Sequence, residues 1–240
     1  MNRIYFGDTR DLFKFDLVRH IMKAGPAFDS FTFVPMLTGT DEGPNGKKSP
    51  RKDLAKAKKA GKAGSQNQDL VAQMERLQEI DDDLDYFQHI RGYFNKEQIL
   101  THIFCDQEFS HGDRSQYFKH LLTRIPKKTL LFLDPDIGLE ENKPSEKHLL
   151  FEEVKRIADR MDNHSVLMIY QHFPRTKKDG YVQERCSRLD QLTGTDPLTI
   201  TDNEILFFLL VKNQRLKTEM EEILERYANS YPLLTSCTSA

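Results

Sequence analysis

The chain has 240 residues and a mass of 28.0 kDa; 38% of its residues are hydrophobic, 10% are aromatic, and there are 16 Phe and no Trp. That suffices for one large domain with a core, although a mean hydropathy of −0.63 implies that part of the chain is solvated. The 35 basic and 37 acidic residues give a net charge of −2, which excludes a global field that attracts polyanions; any nucleic-acid binding needs a local patch. There is no signal-peptide pattern, no apolar run near the ~20 residues of a membrane helix, and no CxxC spacing among Cys105, Cys186 and Cys237, so a cytoplasmic protein without a disulfide framework or zinc knuckle is expected.

In chain order, residues 9–23 read as a helix. Leu17, Val18, Ile21 and Met22 form its apolar stripe, Asp8 or Thr9 supplies the N-cap, and Gly25-Pro26 ends it. Phe31 to Leu37 reads as a first strand, from which Thr38-Gly39-Thr40 turns away. Residues 41–68 change character: from Gly43 on they carry Lys47, Lys48, Arg51, Lys52, Lys56, Lys58, Lys59 and Lys62 against the single acid Asp53, with almost no apolar anchor. This composition predicts a mobile basic loop, either a solvated linker or an arm that contacts nucleic acid through residues 47–62. Residues 69–98 read as one or two helices around Asp81, Asp82, Asp83 and Asp85. Consecutive acids on a helix point in different directions, and no Gly-bearing calcium loop follows.

Regular alternation follows. Ile99 to Cys105 is an expected strand ending in Asp106, Ser115 to Ile125 a helix, and Thr129 to Leu133 a central strand. Ser145 is the expected cap of a helix bearing Leu150, Val154, Ile157 and Met161. Ser165 to Tyr170 and Glu204 to Val211 are strands, and residues 213–227 form an amphipathic helix. The alternation predicts a single α/β domain over residues 1–240: a doubly wound, mainly parallel sheet with helices on both faces, and residues 41–98 as an insertion.

Chemistry concentrates at the ends of these strands. Leu130-Leu131-Phe132-Leu133 runs directly into Asp134-Pro135-Asp136-Ile137-Gly138-Leu139-Glu140, and an apolar run bounded by turn residues is the pattern of a fully buried parallel strand. Such sheets bind ligands outside the carboxyl ends of their strands. Asp134 and Asp136 are therefore expected there, the alternative being a turn whose acids cap local N–H groups. Thr38 and Gly39, Asp106, and Gln171 to Arg175 should converge on the same edge. Asp106 suits a ribose diol or a helix cap. His172 suits general base chemistry or a packed, hydrogen-bonded role.

Asp134-Pro135 after an apolar strand resembles motif IV of S-adenosylmethionine-dependent amino-methyltransferases, in which an acid or amide precedes Pro-Pro-aromatic; here Asp136 and Ile137 stand at the last two places. The resemblance implies that Asp134 accepts hydrogen bonds from a target amine, so that catalysis is mainly positioning. Phe6-Gly7-Asp8-Thr9-Arg10-Asp11-Leu12-Phe13-Lys14 is similar to the Gly-Asn-x-Ala-Asp-x-x-Lys-His opening of bacterial adenine-N6 methyltransferases of large-subunit ribosomal RNA. That similarity implies cofactor contacts from Gly7, Asp8 and Lys14, with Lys14 meeting the methionine carboxylate. Together with Met36-Leu37-Thr38 and Tyr170-Gln171-His172-Phe173-Pro174-Arg175, these segments resemble a bacterial family of methyltransferase-like Rossmann proteins, over most of the chain outside residues 41–98. The implied set is S-adenosylmethionine as cofactor, Asp134, Pro135, Asp136 and His172 as catalytic residues, and Gly7, Asp8, Lys14, Thr38, Gly39 and Asp106 around the cofactor. Two other readings stand beside it. One is a Mg²⁺-dependent nuclease using Asp134, Asp136 and Glu140, with Pro135-Asp136 and Glu141-Asn142-Lys143 mimicking a PD…ExK pattern. The other is a non-catalytic nucleotide-fold partner protein.

Overall fold

Four apolar segments build the parallel half of a central sheet: β1 (Ser30–Val34), β2 (Thr101–Ile103), β3 (Thr129–Leu133) and β6 (Val166–His172). Every residue of β1 and β3 is buried, which explains why their sequences run apolar without alternation. The computed structural model describes residues 1–2, 5–25, 28–38, 53–80, 82–104, 109–110, 112–174 and 180–237. Its further strands are β4 (Gly138–Leu139), β5 (His148–Leu149), β7 (Leu198–Thr201), β8 (Ile205–Leu210) and β9 (Thr235–Cys237). The helices are α1 (Thr9–Ala24), α2 (Leu54–Lys59), α3 (Gln68–Leu77), α4 (Asp83–Lys96), α5 (Arg114–Arg124), α6 (Phe151–Arg160), α7 (Tyr181–Thr193) and α8 (Gln214–Asn229).

The main sheet has seven strands in the order β2-β1-β3-β6-β8-β7-β9. β2, β1, β3 and β6 are mutually parallel, whereas β8 runs antiparallel between β6 and β7. The chain leaves β1 for β2 on one side and returns to β3 on the other. The strand order thus reverses at β1, and the loops after β1 and β3 flank the place, the β1/β3 crevice, where sheets of this kind bind ligands. Alternate strand residues divide the core into two layers. Phe31, Phe33, Phe132, Met168 and Phe207 face α1, α3, α4 and α8. Val34, Leu131, Leu133, Ile169 and Phe208 face α5, α6 and α7. The protein is thus α/β with a mostly parallel sheet and helices on both faces, as the alternation predicts. Among the described residues no helix is long and apolar enough to cross a membrane.

Several expectations are corrected. Residues 53–68 are not a mobile loop. Asp53 caps α2, and Leu54, Ala57, Ala63 and Ser65 are buried. Gly64 packs so closely on α1 that a Cβ would lie 2.6 Å from the Leu12 carbonyl oxygen. A few small and apolar residues anchor the stretch despite its overall charge. Residues 39–52, with Gly39, Lys47, Lys48, Arg51 and Lys52, lie outside the described residues. Ser145 does not cap a helix; its hydroxyl and amide both meet His148 Nδ1, at 3.0 and 3.1 Å. α6 begins six residues later, where Glu153 Oε2 accepts from the Leu150 N–H at 2.8 Å. The first strand stops at Val34 rather than Leu37, because Pro35 and then Met36, at φ 38°, turn the chain out of the sheet. The last strand of the sequence reading, β8, is antiparallel.

Candidate functional site

α1 delivers polar groups to the β1/β3 crevice at a spacing of three. Asp8, Asp11 and Lys14 share one helix face, and the cap bonds from Arg10 and Asp11 N–H to Asp8 Oδ1 (2.7 and 3.1 Å) fix its start. The Lys14 ammonium donates to Asp11 Oδ1 at 3.1 Å and to Asp134 Oδ2 at 2.9 Å, and lies 4.4 Å from the centre of the Tyr170 ring. Asp11 Oδ2 accepts from the Gly7 N–H (3.0 Å) and from the Tyr86 hydroxyl (2.8 Å). Gly7 has φ 71°, and a Cβ there would sit 2.8 Å from the Met74 carbonyl oxygen, so the approach of the chain to α3 requires glycine. The Met1 α-ammonium bridges the two loops of the crevice, donating to the carbonyls of Met36 and Asp134 at 3.1 Å each. Thr38 is buried, and its N–H donates to the Met1 carbonyl at 3.1 Å.

All of these groups are withdrawn from water; the Asp134 side chain is 0% exposed. Burial pulls the Lys14 ammonium down, but Asp134 and Asp11 outweigh it, so its net shift is upward and it stays charged. Burial pushes the Asp134 carboxyl up against the opposing pull of Lys14 and the α-ammonium. Burial, reinforced by Asp11, raises Asp8 to about 6, and burial lowers the Met1 α-ammonium to about 6. Two carboxylate oxygens of this cluster, Asp8 Oδ2 and Asp134 Oδ1, are buried without a hydrogen-bond partner.

The segment after Asp134 is held by Gln171. Its Oε1 accepts from the Leu139 N–H at 2.8 Å, and its Nε2 donates to the carbonyls of His172 (2.8 Å) and Ile137 (3.4 Å). Gly138, at φ 134°, makes this possible, since a Cβ there would fall 2.4 Å from Gln171 Nε2. Pro135 is buried and closes the turn; Asp136 is only partly buried, with Lys147 Nζ 3.7 Å away. His172 ends β6 with Nδ1 3.2 Å from the Phe173 carbonyl. Glu140 Oε1 accepts from the Phe151 N–H and from Arg188, both at 3.2 Å.

The structure therefore brings together Gly7, Asp8, Lys14, Thr38 and Asp134. Lys14, expected to meet a ligand carboxylate, has its donors directed at the chain's own acids and at the Tyr170 ring face. Asp106 and Gly39 lie outside the described residues, as does Arg175. Among the described residues no three His, Cys, Asp or Glu side chains converge so as to hold a metal ion. Asp11, Tyr86 and Tyr170 join this cluster without being among the residues expected from sequence. The i, i+3 spacing of Asp8, Asp11 and Lys14 was a legible signal for the first; Tyr86 reads only as part of the apolar face of α4. No family model and no curated protein matches the chain.

Proposed function

We propose that the chain is an S-adenosylmethionine-dependent methyltransferase-like protein whose ligand site is the β1/β3 crevice, acting on an amino group of a nucleic acid. The observation that carries this reading is the pair of buried, partnerless carboxylate oxygens, Asp8 Oδ2 and Asp134 Oδ1, at the point where the strand order reverses. Such oxygens suit a cationic ligand, and S-adenosylmethionine carries an ammonium and a sulfonium. One feature supports it further: the Asp134-Pro135 strand end, which resembles motif IV of amino-methyltransferases. When bound, the cofactor supplies an electrophilic methyl group. Asp134 Oδ1 would accept from the target amine and orient its lone pair, while the bond from Lys14 keeps the other carboxylate oxygen fixed. Because Asp134 is fully buried, a ligand reaches it only by moving segments packed over it.

One observation favours a second reading, a non-catalytic nucleotide-fold partner protein. Lys14 is held between Asp134 Oδ2 and Asp11 Oδ1, which is what a structural ion pair does. Calorimetry and thermal shift with S-adenosylmethionine separate the two. Ligand at about 100-fold above its Kd should add about 2.7 kcal/mol of stability, and Asp134→Asn should bind it and retain part of any turnover, because an amide oxygen still accepts. No heat and no shift at millimolar ligand would overturn the methyltransferase reading.

A further inference from the structure

The first turn of α1 carries two opposite charges that the protein leaves unjoined. Asp8 Oδ1 is taken by the N–H groups of Arg10 and Asp11, and Oδ2 is buried without a donor. Arg10, two residues on, has the complementary lack: its Nε is buried without an acceptor. The Arg10 guanidinium lies 5.8 Å from the centre of the Tyr5 ring. Asp8 is 1% exposed and Arg10 only partly buried, so the pair leads from the surface toward the buried cluster. Burial and Asp11 raise the Asp8 carboxyl while Lys14 and Arg10 pull it down, so the guanidinium acts on this carboxyl without bonding to it.

A buried acceptor and a buried donor left empty side by side each cost stability, and native chains leave few of them. The other charges of the cluster cannot fill them. Lys14 donates to Asp11 and Asp134, and Asp11 accepts from Gly7 and Tyr86. Lys14 is therefore engaged where the sequence implied a partner for a ligand carboxylate. What fits the two vacancies together is a group that bears an ammonium and a carboxylate on one carbon. Each would be held by a charge-assisted hydrogen bond, and arginine suits the carboxylate.

We propose that Asp8 and Arg10 form the subsite for an α-amino-carboxylate group, Asp8 Oδ2 accepting from its ammonium and Arg10 Nε donating to its carboxylate. The inference rests on the crevice being an S-adenosylmethionine site, and it assigns the methionine end of that ligand to the first turn of α1.

The test is calorimetry on the full chain, Asp8→Asn and Arg10→Gln near pH 7.5, above the value of about 6 at which Asp8 ionises. The probes are S-adenosylmethionine and three neutral-sulfur compounds: S-adenosylhomocysteine, its decarboxylated form S-adenosyl-3-thiopropylamine, and 5′-methylthioadenosine. In the parent chain, S-adenosylhomocysteine should bind about tenfold tighter than the decarboxylated form, and that about tenfold tighter than methylthioadenosine. Arg10→Gln should abolish the first difference and keep the second. Asp8→Asn should abolish the second and leave methylthioadenosine binding as it was. Absence of heat with all four probes at millimolar concentration would overturn the reading of the crevice and this subsite with it. Nucleoside binding in which the parent holds S-adenosylhomocysteine no tighter than methylthioadenosine, or variants that match the parent, would overturn the subsite alone.

Discussion

Replacing Lys14 by Met tests whether the cluster beneath the crevice is an ion pair on which the fold depends. The substitution keeps the length and the apolar stem of the side chain but removes the ammonium shared by Asp11 and Asp134, whose side chains are 2% and 0% exposed. Breaking a buried pair by removing one partner costs about 3–5 kcal/mol, because it strands uncompensated charge. In a chain of this size each kcal/mol shifts melting by about 2–4 °C, so a fall of about 6–20 °C is expected. Asp134→Asn is milder, about 1–2 kcal/mol, since its amide oxygen still accepts from Lys14 and Asp11 remains ionised. The double variant strands one carboxylate fewer than Lys14→Met alone, so its loss should be smaller than the sum, with an interaction of about 0.5–3 kcal/mol. Acid should narrow the deficit of Lys14→Met, because the Asp134 carboxyl, already raised by burial, takes up a proton more readily than an ordinary aspartate. Urea unfolding of the four proteins at two pH values measures all of this. Melting of Lys14→Met within about 2 °C of the parent, or strict additivity, would refute the reasoning.

Further expectations concern other elements. Asp8, at about 6 in the fold against an ordinary 3.8, holds a proton that the unfolded chain has released between those values. Its contribution to stability is therefore full at low pH and is lost as pH rises from about 4 to about 6, and Asp8→Asn should flatten the stability profile in that window; an unchanged profile counts against the assignment. Gly138→Ala forces a Cβ against Gln171 and strains the backbone, so thermal melting should fall by several degrees, and a neutral result would mean that the 137–139 segment is not held as described. Leu54→Ala should cost about 2–5 kcal/mol if α2 is docked on the core; a loss below about 1 kcal/mol in denaturant titration would make it the loose segment that its charge suggests.

The parallel strands were legible because burial on both faces imposes unbroken apolar runs, as in Thr129–Leu133, where the predicted and observed bounds coincide. Asp134 was legible for the same reason, since a carboxylate directly after such a run has to sit at the sheet's end. Its engagement by Lys14, 120 residues away, was not, because no local pattern records which helix face meets which strand. α2 was hidden by its lysines, whose charge masks the few small residues that dock it. β4 and β5 are two residues each, too short for any periodicity. α7 begins and ends on glycines in the left-handed conformation and has only three buried residues, Tyr181, Arg185 and Leu189, so its apolar stripe is thin.

Asp16, in the middle of α1, binds the Tyr227 and Tyr231 hydroxyls at 2.8 and 2.9 Å and the Asn67 amide at 2.9 Å, across 211, 215 and 51 positions of sequence. With Lys14 bound to Asp134 and Asp11 to Tyr86, α1 is synthesised well before the partners of its charged groups. Until α8 has emerged, Asp16 lacks both tyrosine hydroxyls and holds the Asn67 amide alone of these three partners. Tyr227 of α8 and Tyr231 just beyond it thus complete the bonding of a carboxylate near the start of the chain. Ordering that depends on such distant pairs favours slow, late consolidation. A truncation that spares every residue of the crevice but removes α8 would still leave its floor unsecured.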